Sequence, residues 1–504
     1  MQKTASKITH IPNELIVFPF MKKMYKKMYF MGIKGVGMAS LAIIAKQAGI
    51  DVAGSDVSTH FITDETLEAE GIHVLAGFDP QNVSNFLGKE DASGVLFVAT
   101  GAHNGFDNVE AQFAKEKGIN VISHGQAVGL FMEGKVFDRE WSGISVSGAH
   151  GKTTISGMIA VALSALRLDP SYTVGTSSVF PIGASGHYGK GDFFVAEADE
   201  YLSESNYDRT PKFLYQKPKY LIINNIDFDH PDFYSSIDDI YEAFSKLVAG
   251  LDSGAIVIGN GDDERVKKLL DELPITIRKV TYGIAKDNEI VLDKFHQERD
   301  SVRFDVLNLG TLLGEVRLKV PGFHNAKNSL GVIALLIELG VSFEQIKDAL
   351  FAFEGTKRRI ENVGETKNGI KIIDDYAHHP EEIKKTLASL KTLYPEKKII
   401  VVFQPHTFSR TKALLPDFIS SFGDANSLLL LPTFASMRGD DGQGSEDLLE
   451  GLRRINKPAL VFENINNVVE YVGQNFHDTN TLIVTMGAGD VYKVGEKLAI
   501  KEKN

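Results

Sequence analysis

The sequence predicts an α/β protein of three domains, each a mostly parallel sheet wrapped by helices, and three observations lead there. From residue 28 onward, short apolar runs alternate with helical patterns, at 28–33, 94–99, 143–146, 193–196, 220–224, 370–373, 398–403, 427–431 and 481–485. Strands buried on both faces need such runs, and the helices between them serve as crossovers. Nearly every run exits into Gly, Asp, His or Asn, and ligands of open α/β sheets sit at the carboxyl ends of strands. A chain of 504 residues is also too long for one core. Polar or glycine-containing stretches at 133–140 and 353–357 separate one strand–helix series from the next. The expected divisions are an N-terminal extension at 1–27, a first domain at 28–138, a central domain at 139–355 and a C-terminal domain at 356–504.

The first strand runs into Gly32-Ile33-Lys34-Gly35-Val36-Gly37-Met38, which opens a helix. Gly32 and Gly37 fit a G-x-G-x-x-G turn, but Lys34 takes its middle position. Asp56, 24 residues after Gly32, is placed like the ribose-binding acid of a dinucleotide fold. The turn admits a nicotinamide cofactor, another pyrophosphate ligand on a related fold, or no ligand, the glycines then serving helix–strand packing.

The run at 143–146 hands over to a helix expected to start near Ile155 through Gly148-Ala149-His150-Gly151-Lys152-Thr153-Thr154. This is a phosphate-binding loop: glycines let backbone N–H groups close around phosphate oxygens, the helix adds its positive dipole end, Lys152 a cation, and Thr153 a hydroxyl for Mg²⁺. Val146 stands where the general pattern has its first glycine. Glu197-Ala198-Asp199-Glu200 then ends a buried run, and carboxylates with a threonine hydroxyl are what a hard cation selects. Asn225-Ile226-Asp227-Phe228-Asp229-His230 follows another run and sets His230 among acids, as a second metal ligand. Between about 255 and 320 the pattern changes to short strands and turns, a β-rich flank of the central domain. His324-Asn325-Ala326-Lys327-Asn328 opens an apolar helix, where asparagine is either a cap or a planar amide reading an adenine edge.

Composition narrows the classes. A formal net charge of −12, with no Lys/Arg cluster beyond the first thirty residues, argues against a nucleic-acid partner. The absence of cysteine removes disulfides, thiolate metal sites and cysteine nucleophiles. The N-terminal thirty residues have a short apolar run ahead of a basic stretch, the wrong order for a secretory signal, and no run reaches the roughly 18 apolar residues of a membrane span. A cytoplasmic protein without a membrane partner is expected.

In this order the blocks resemble the Mur ligase family, ATP-dependent amide ligases that build the peptidoglycan stem peptide. Gly32 to Met38 is similar to a GIGGxGM turn, Gly148 to Thr154 to a GTHGKTT loop, and Asp374-Asp375-Tyr376-Ala377-His378-His379-Pro380 to DDYGHHP. Phe403-Gln404-Pro405-His406-Thr407-Phe408-Ser409-Arg410-Thr411 and Gly487-Ala488-Gly489-Asp490 complete the set. The resemblance implies a Rossmann-like UDP-binding domain, a central phosphate-loop ATPase domain and a Rossmann-like C-terminal domain that holds an amino acid. It implies ATP and Mg²⁺, with Thr153, Glu197 and His230 as metal ligands, Lys152 on the transferred phosphoryl group, Asn325 and Asn328 at adenine, and Arg359 and Asp375 completing the ATP site on domain closure. Gly148, Ala149, His150, Gly151 and Thr154 would line the triphosphate, and Gly32, Gly35, Gly37, Asp56, Thr100 and Asn108 the UDP-sugar. Arg410 would pair with the amino acid's carboxylate, beside Tyr376, His378 and His379; read alone, Arg410 is a solvated surface residue.

Family members adding the second and later residues carry a carbamylated lysine fourteen residues after the DH histidine, where this chain has Phe244 and Lys246 is out of register. That pattern implies L-alanine and UDP-N-acetylmuramate as substrates, or a tripeptide on the same sugar nucleotide, as in muropeptide recycling. The 403–411 segment favours alanine, while 197–213, EADEYLSESNYDRTPKF, is similar to the recycling branch. Thr100-Gly101-Ala102 departs from SSA, and Val121-Ile122-Ser123-His124 lacks an arginine usual there. A monomer or homodimer is expected. The readings from other classes are a nicotinamide oxidoreductase, which leaves Lys152 unexplained, and a non-catalytic binding protein.

Overall fold

The computed structural model describes residues 25–204, 206–435 and 444–500. Residues 1–24 of the expected N-terminal extension and the last four of the expected C-terminal domain lie outside the described residues. Three sheets with parallel cores follow one another along the chain, joined by helical crossovers.

In the first sheet Lys27–Met31 is central, with Asp51–Asp56 and Val74–Ala76 on one side and Val95–Ala99 and Asn120–Ser123 on the other, all parallel. The order reverses direction at Lys27–Met31 and Val95–Ala99, which opens a crevice at their carboxyl ends. Gly32 and Thr100 meet there: a Cβ on Gly32 would come within 2.4 Å of the Thr100 methyl. The helix Val36–Gln47 packs back on the central domain, where Ser40 Oγ lies 2.5 Å from Thr173 Oγ1.

In the central sheet Ser142–Ser147 lies between Phe193–Ala198 and Tyr220–Ile223. Ile144, Val146, Ile155, Ile159, Val195 and Ile222 are fully buried around it, the packing that continuous apolar runs provide. Beyond the parallel strands Ile256–Asn260 and Arg278–Gly283, the sheet ends in an antiparallel meander, Ile290–Gln297, Val302–Asn308 and Thr311–Leu318. The expected β-rich flank is therefore two parallel strands, a helix (Glu264–Asp271) and this meander. The third sheet has the order Glu361–Glu365, Lys371–Asp375, Thr481–Met486, Lys398–Phe403, Ser427–Leu430 and Ala459–Val461, with its first strand antiparallel. Among the described residues no helix is long and apolar enough to cross a membrane.

Candidate active site

The phosphate-type loop leaves Ser142–Ser147 between the tips of its two neighbouring strands, since Val146 pairs with Glu197 and Ser147 with Ile223. Gly148 (φ 137°) and Gly151 (φ 84°) take backbone conformations that disfavour a Cβ. The helix Lys152–Ala165 begins three residues earlier than expected, with Gly151 as its N-cap, so its first N–H groups face the loop. Asn225 Oδ1 accepts the His150 N–H at 2.9 Å, and the amides of Asn224 and Asn225 donate to the His150 carbonyl at 2.9 and 3.0 Å. The loop is thus held open from the Tyr220–Ile223 tip.

Lys152 Nζ donates to Glu200 at 2.8 and 3.1 Å and to the Gly148 carbonyl at 2.7 Å. Burial opposes its charge, but the Glu200, Asp199 and Glu197 carboxylates outweigh that and raise the ammonium. Of the three expected metal ligands, the structure joins Thr153 to Glu197, whose carboxyl burial raises despite the Thr153 hydroxyl and the Gly175 N–H at 2.6 Å. His230, at a left-handed φ of 57°, lies instead 3.4 Å from Glu200 and 3.7 Å from Asp229. Ligand-type atoms of Asp199, Glu200 and His230 lie within 4.8 Å of one another. Oxygen donors with one imidazole suit a hard divalent cation, so the residues present fit Mg²⁺.

The third domain closes over this loop. Arg359 lies 3.4 Å from Glu382, and Asp375 accepts the Ile360 and Ala377 N–H groups at 2.8 Å. Burial pushes the Asp375 carboxyl up to about 6. Asn325, Asn328, Arg359, Asp375, His150, Gly151 and Thr154 line one cavity of about 90 Å³. That is small against the roughly 300–1,000 Å³ of ligand pockets. A second cavity of about 600 Å³ adjoins it, sharing His150, Asn224, Asn225, His324 and Asn328.

Glu382, in the helix Pro380–Leu393, and Asp227 flank the His150 ring at 3.6 and 3.5 Å. Burial pulls His150 down, but the two carboxylates hold it at about 9. Arg410, buried, donates to Asp229 Oδ1 at 2.9 and 2.8 Å and lies 3.0 Å from His406. His378 is 3.4 Å from Glu382, and burial lowers it to about 4, so its ring is neutral beside Arg410. Tyr376 stands edge-on to His378 with ring centres 5.2 Å apart, and the His379 ring is 4.6 Å from that of His150. Arg410 is therefore no surface residue, and its carboxylate partner comes from the central domain.

In the first domain a cavity of about 800 Å³ is lined by Gly35, Gly37, Thr100, Asn108 and, from the central domain, Tyr201, Ser203 and Lys212. Gly32 and Asp56 are not among its lining residues. The Asp56 carboxylate accepts the Lys34 and Val57 N–H groups at 2.8 and 2.7 Å and so shapes the turn from behind. Sequence reasoning assigned no role to Glu382, Asp229, Glu200 or Lys212; Glu200, Asp229 and Lys212 stood inside segments already singled out, whereas Glu382 carried no local signal.

Three family models match in succession: the Mur ligase family catalytic domain over 27–136, the Mur ligase middle domain over 146–336, and the Mur ligase glutamate ligase domain over 358–489. The UDP-N-acetylmuramate–L-alanine ligase of Desulfitobacterium hafniense is 38% identical over 476 residues, covering 93% of this chain and 98% of the relative. Among solved structures, the UDP-N-acetylmuramate-alanine ligase of Thermotoga maritima superposes with a TM-score of 0.75 at 25% identity, over 94% of this chain and 98% of that one. A murein peptide ligase of Psychrobacter arcticus, 22% identical, shares the fold with a TM-score of 0.71 over 94% and 98% of the two chains. Three domains in this order, with the phosphate-type loop between the Glu197 and His230 tips, make the chain a member of the Mur ligase family.

Proposed function

We propose that this chain is an ATP-dependent ligase that joins L-alanine to UDP-N-acetylmuramate, through an acyl phosphate, in peptidoglycan precursor synthesis. The observation that carries this reading is the full-length likeness to ligases of that name, at 38% identity for one of them. Phe244, buried edge-on against Phe213 at the position where the resemblance implies a carbamylated lysine in later-acting members, speaks against those members and leaves the alanine-adding and recycling readings.

The acid needs activation before an amine can attack it. The sugar's carboxylate oxygen bonds to the γ-phosphorus of ATP as the bond to the ADP oxygen breaks; the alanine amine then bonds to the acyl carbon, inorganic phosphate leaves and the amine loses a proton. Lys152 and the helix N-terminus at Gly151 hold the negative oxygens, where donors fixed in advance lower the barrier most. Thr153, Glu197 and His230 would hold Mg²⁺, with Glu200 beside His230; the ion, when bound, neutralises phosphoryl charge. Gly148, Ala149, His150 and Thr154 complete the triphosphate cradle, Asn325 and Asn328 face adenine, and Arg359 and Asp375 arrive with the third domain, so closure precedes chemistry. Arg410, with Tyr376, His378 and His379, receives the amino acid's carboxylate. Gly32, Gly35, Gly37, Asp56, Thr100 and Asn108 form or support the UDP site.

We also assign the protein to the cytoplasm, as a monomer or homodimer, with domain limits at 28–138, 139–355 and 356–504. The test is ADP release: it should require both UDP-N-acetylmuramate and L-alanine. Turnover with the tripeptide and none with alanine would make the chain a recycling ligase, the reading that the hairpin region 197–213 favours.

A further inference from the structure

The described residues of the segment 201–213, which is similar to the recycling branch, form an antiparallel pair that walls the first domain's cavity. Leu202–Glu204 and Asp208–Pro211 pair antiparallel. Its tip grips the first domain, with Tyr207 Oη and Asn206 Nδ2 donating to Asp107 at 2.5 and 2.9 Å and Ser123 Oγ to Asp208 at 3.3 Å. Its base is anchored by Phe213, edge-on to Phe244 at 5.2 Å, and by the Phe213 N–H on the Asp199 carbonyl at 3.0 Å.

This hairpin supplies Lys212, the one lysine or arginine among the described residues lining the cavity of about 800 Å³. Its ammonium donates to Asp199 at 2.8 Å and lies 5.6 Å from the Tyr201 ring centre. Asp199 in turn belongs to the cluster with Glu200 and His230, and Glu200 holds Lys152. The acid in the same wall, Glu204, is buried and accepts the Asn206 and Tyr207 N–H groups at 2.9 and 2.7 Å. Burial and the Lys212 charge lower His124 to about 4, which leaves that ring neutral. Ser203 Oγ, also in the wall, is buried and has no hydrogen-bond partner among the described residues.

A sugar nucleotide with a diphosphate and a carboxylate brings several negative charges into a cavity with this single cation. The diphosphate has backbone N–H groups at the start of the helix Val36–Gln47, whose first residues also line the cavity. Lys212 lies beside the acids of the phosphate-loop centre, where the reacting group has to be. We propose that Lys212 binds the carboxylate of the sugar-nucleotide substrate, exchanging Asp199 for it, and that Ser203 donates to the same ligand. The proposal rests on the function argued above.

The test measures calorimetric binding of UDP-N-acetylmuramate and of UDP-N-acetylglucosamine, which lacks the carboxylate, to the full chain without ATP. Lys212→Met should weaken the former by about 10- to 100-fold, the range of a lost charge-assisted contact, and the latter by less than about 3-fold. Lys212→Arg should retain most of the affinity, and in Lys212→Met the KM for UDP-N-acetylmuramate should rise while KM for ATP and L-alanine stays put. Equal weakening of both sugar nucleotides would move Lys212 to the diphosphate and overturn the proposal, as would no change in either. A loss of thermal stability in Lys212→Met, with Lys212→Arg equally defective toward both nucleotides, would make the residue structural and overturn it too. If the wild type neither binds UDP-N-acetylmuramate nor releases ADP with it, the functional reading fails together with the proposal.

Discussion

Arg410 and Asp229 form a buried ion pair across 181 residues, with the Nε and Nη2 of Arg410 on one carboxylate oxygen at 2.9 and 2.8 Å. Burial opposes the Asp229 charge, yet Arg410 first, and then His230, hold the carboxyl well below its usual range. The pair ties the third domain to the residue preceding His230, so the candidate amino-acid site and the candidate metal site share one linkage.

Removing one partner of such a pair leaves the other charge buried, which costs about 3–5 kcal/mol. Arg410→Met is therefore expected to lower the thermal unfolding midpoint and to abolish alanine-dependent ADP release, while Asp229→Asn lowers stability and spares part of the alanine affinity. Calorimetric melts and alanine titrations check both; an Arg410→Met protein with an unchanged KM for alanine removes Arg410 from the amino-acid site.

Lys152 is the cation of the loop and is held by Glu200 at 2.8 Å. Lys152→Ala should reduce turnover by about 10³-fold or more, the scale of a lost electrostatic contact to the reacting group, with UDP-sugar binding nearly intact. Unchanged turnover would remove the loop from phosphoryl transfer.

His150 gives a pH dependence whose sign is set by its carboxylate neighbours. Its folded value of about 9 lies above the ordinary histidine value, so its contribution to stability is complete below about 6.5 and is lost as pH rises through about 9. The ligand-free wild type should melt above His150→Gln at pH 6, and the gap should vanish by about pH 10. A gap that widens with pH would contradict the ion pairs with Asp227 and Glu382.

At Gly151 a Cβ would meet Asn224 Nδ2 at 2.6 Å and Asn328 Oδ1 at 3.0 Å, at a φ of 84°. Gly151→Ala adds about 1–2 kcal/mol of backbone strain and displaces two residues of the nucleotide cavity. KM for ATP should rise by about 10-fold or more, the equivalent of 1.4 kcal/mol, with UDP-sugar affinity unchanged. An unaltered KM would show that the loop relaxes freely.

Much of the fold was legible because its signals are local. Apolar runs at 28–33 and 143–146 became the strands Lys27–Met31 and Ser142–Ser147, shifted by a residue or two at their ends, and the run at 398–403 is the strand Lys398–Phe403. The helix after the loop began earlier than its apolar pattern, at Lys152, because the loop's own Gly151 caps it and polar residues complete the first turn. The chain between 201 and 213 was legible only as a likeness to the recycling branch and not as a pair of strands, since short polar strands have no periodic signature.

By itself the sequence determined the strands that its continuous apolar runs form, that glycine-rich turns and acids stand at their tips, and which family these motifs resemble, because each of these depends on residues adjacent in the chain. The tertiary structure alone decided the partners: His230 with Glu200, Arg410 with Asp229, His150 with Glu382, and Lys212 in the wall of the first domain's cavity. Those pairings depend on how sheets stack and where side chains point, and a charge's neighbour 181 residues away leaves no trace in local pattern.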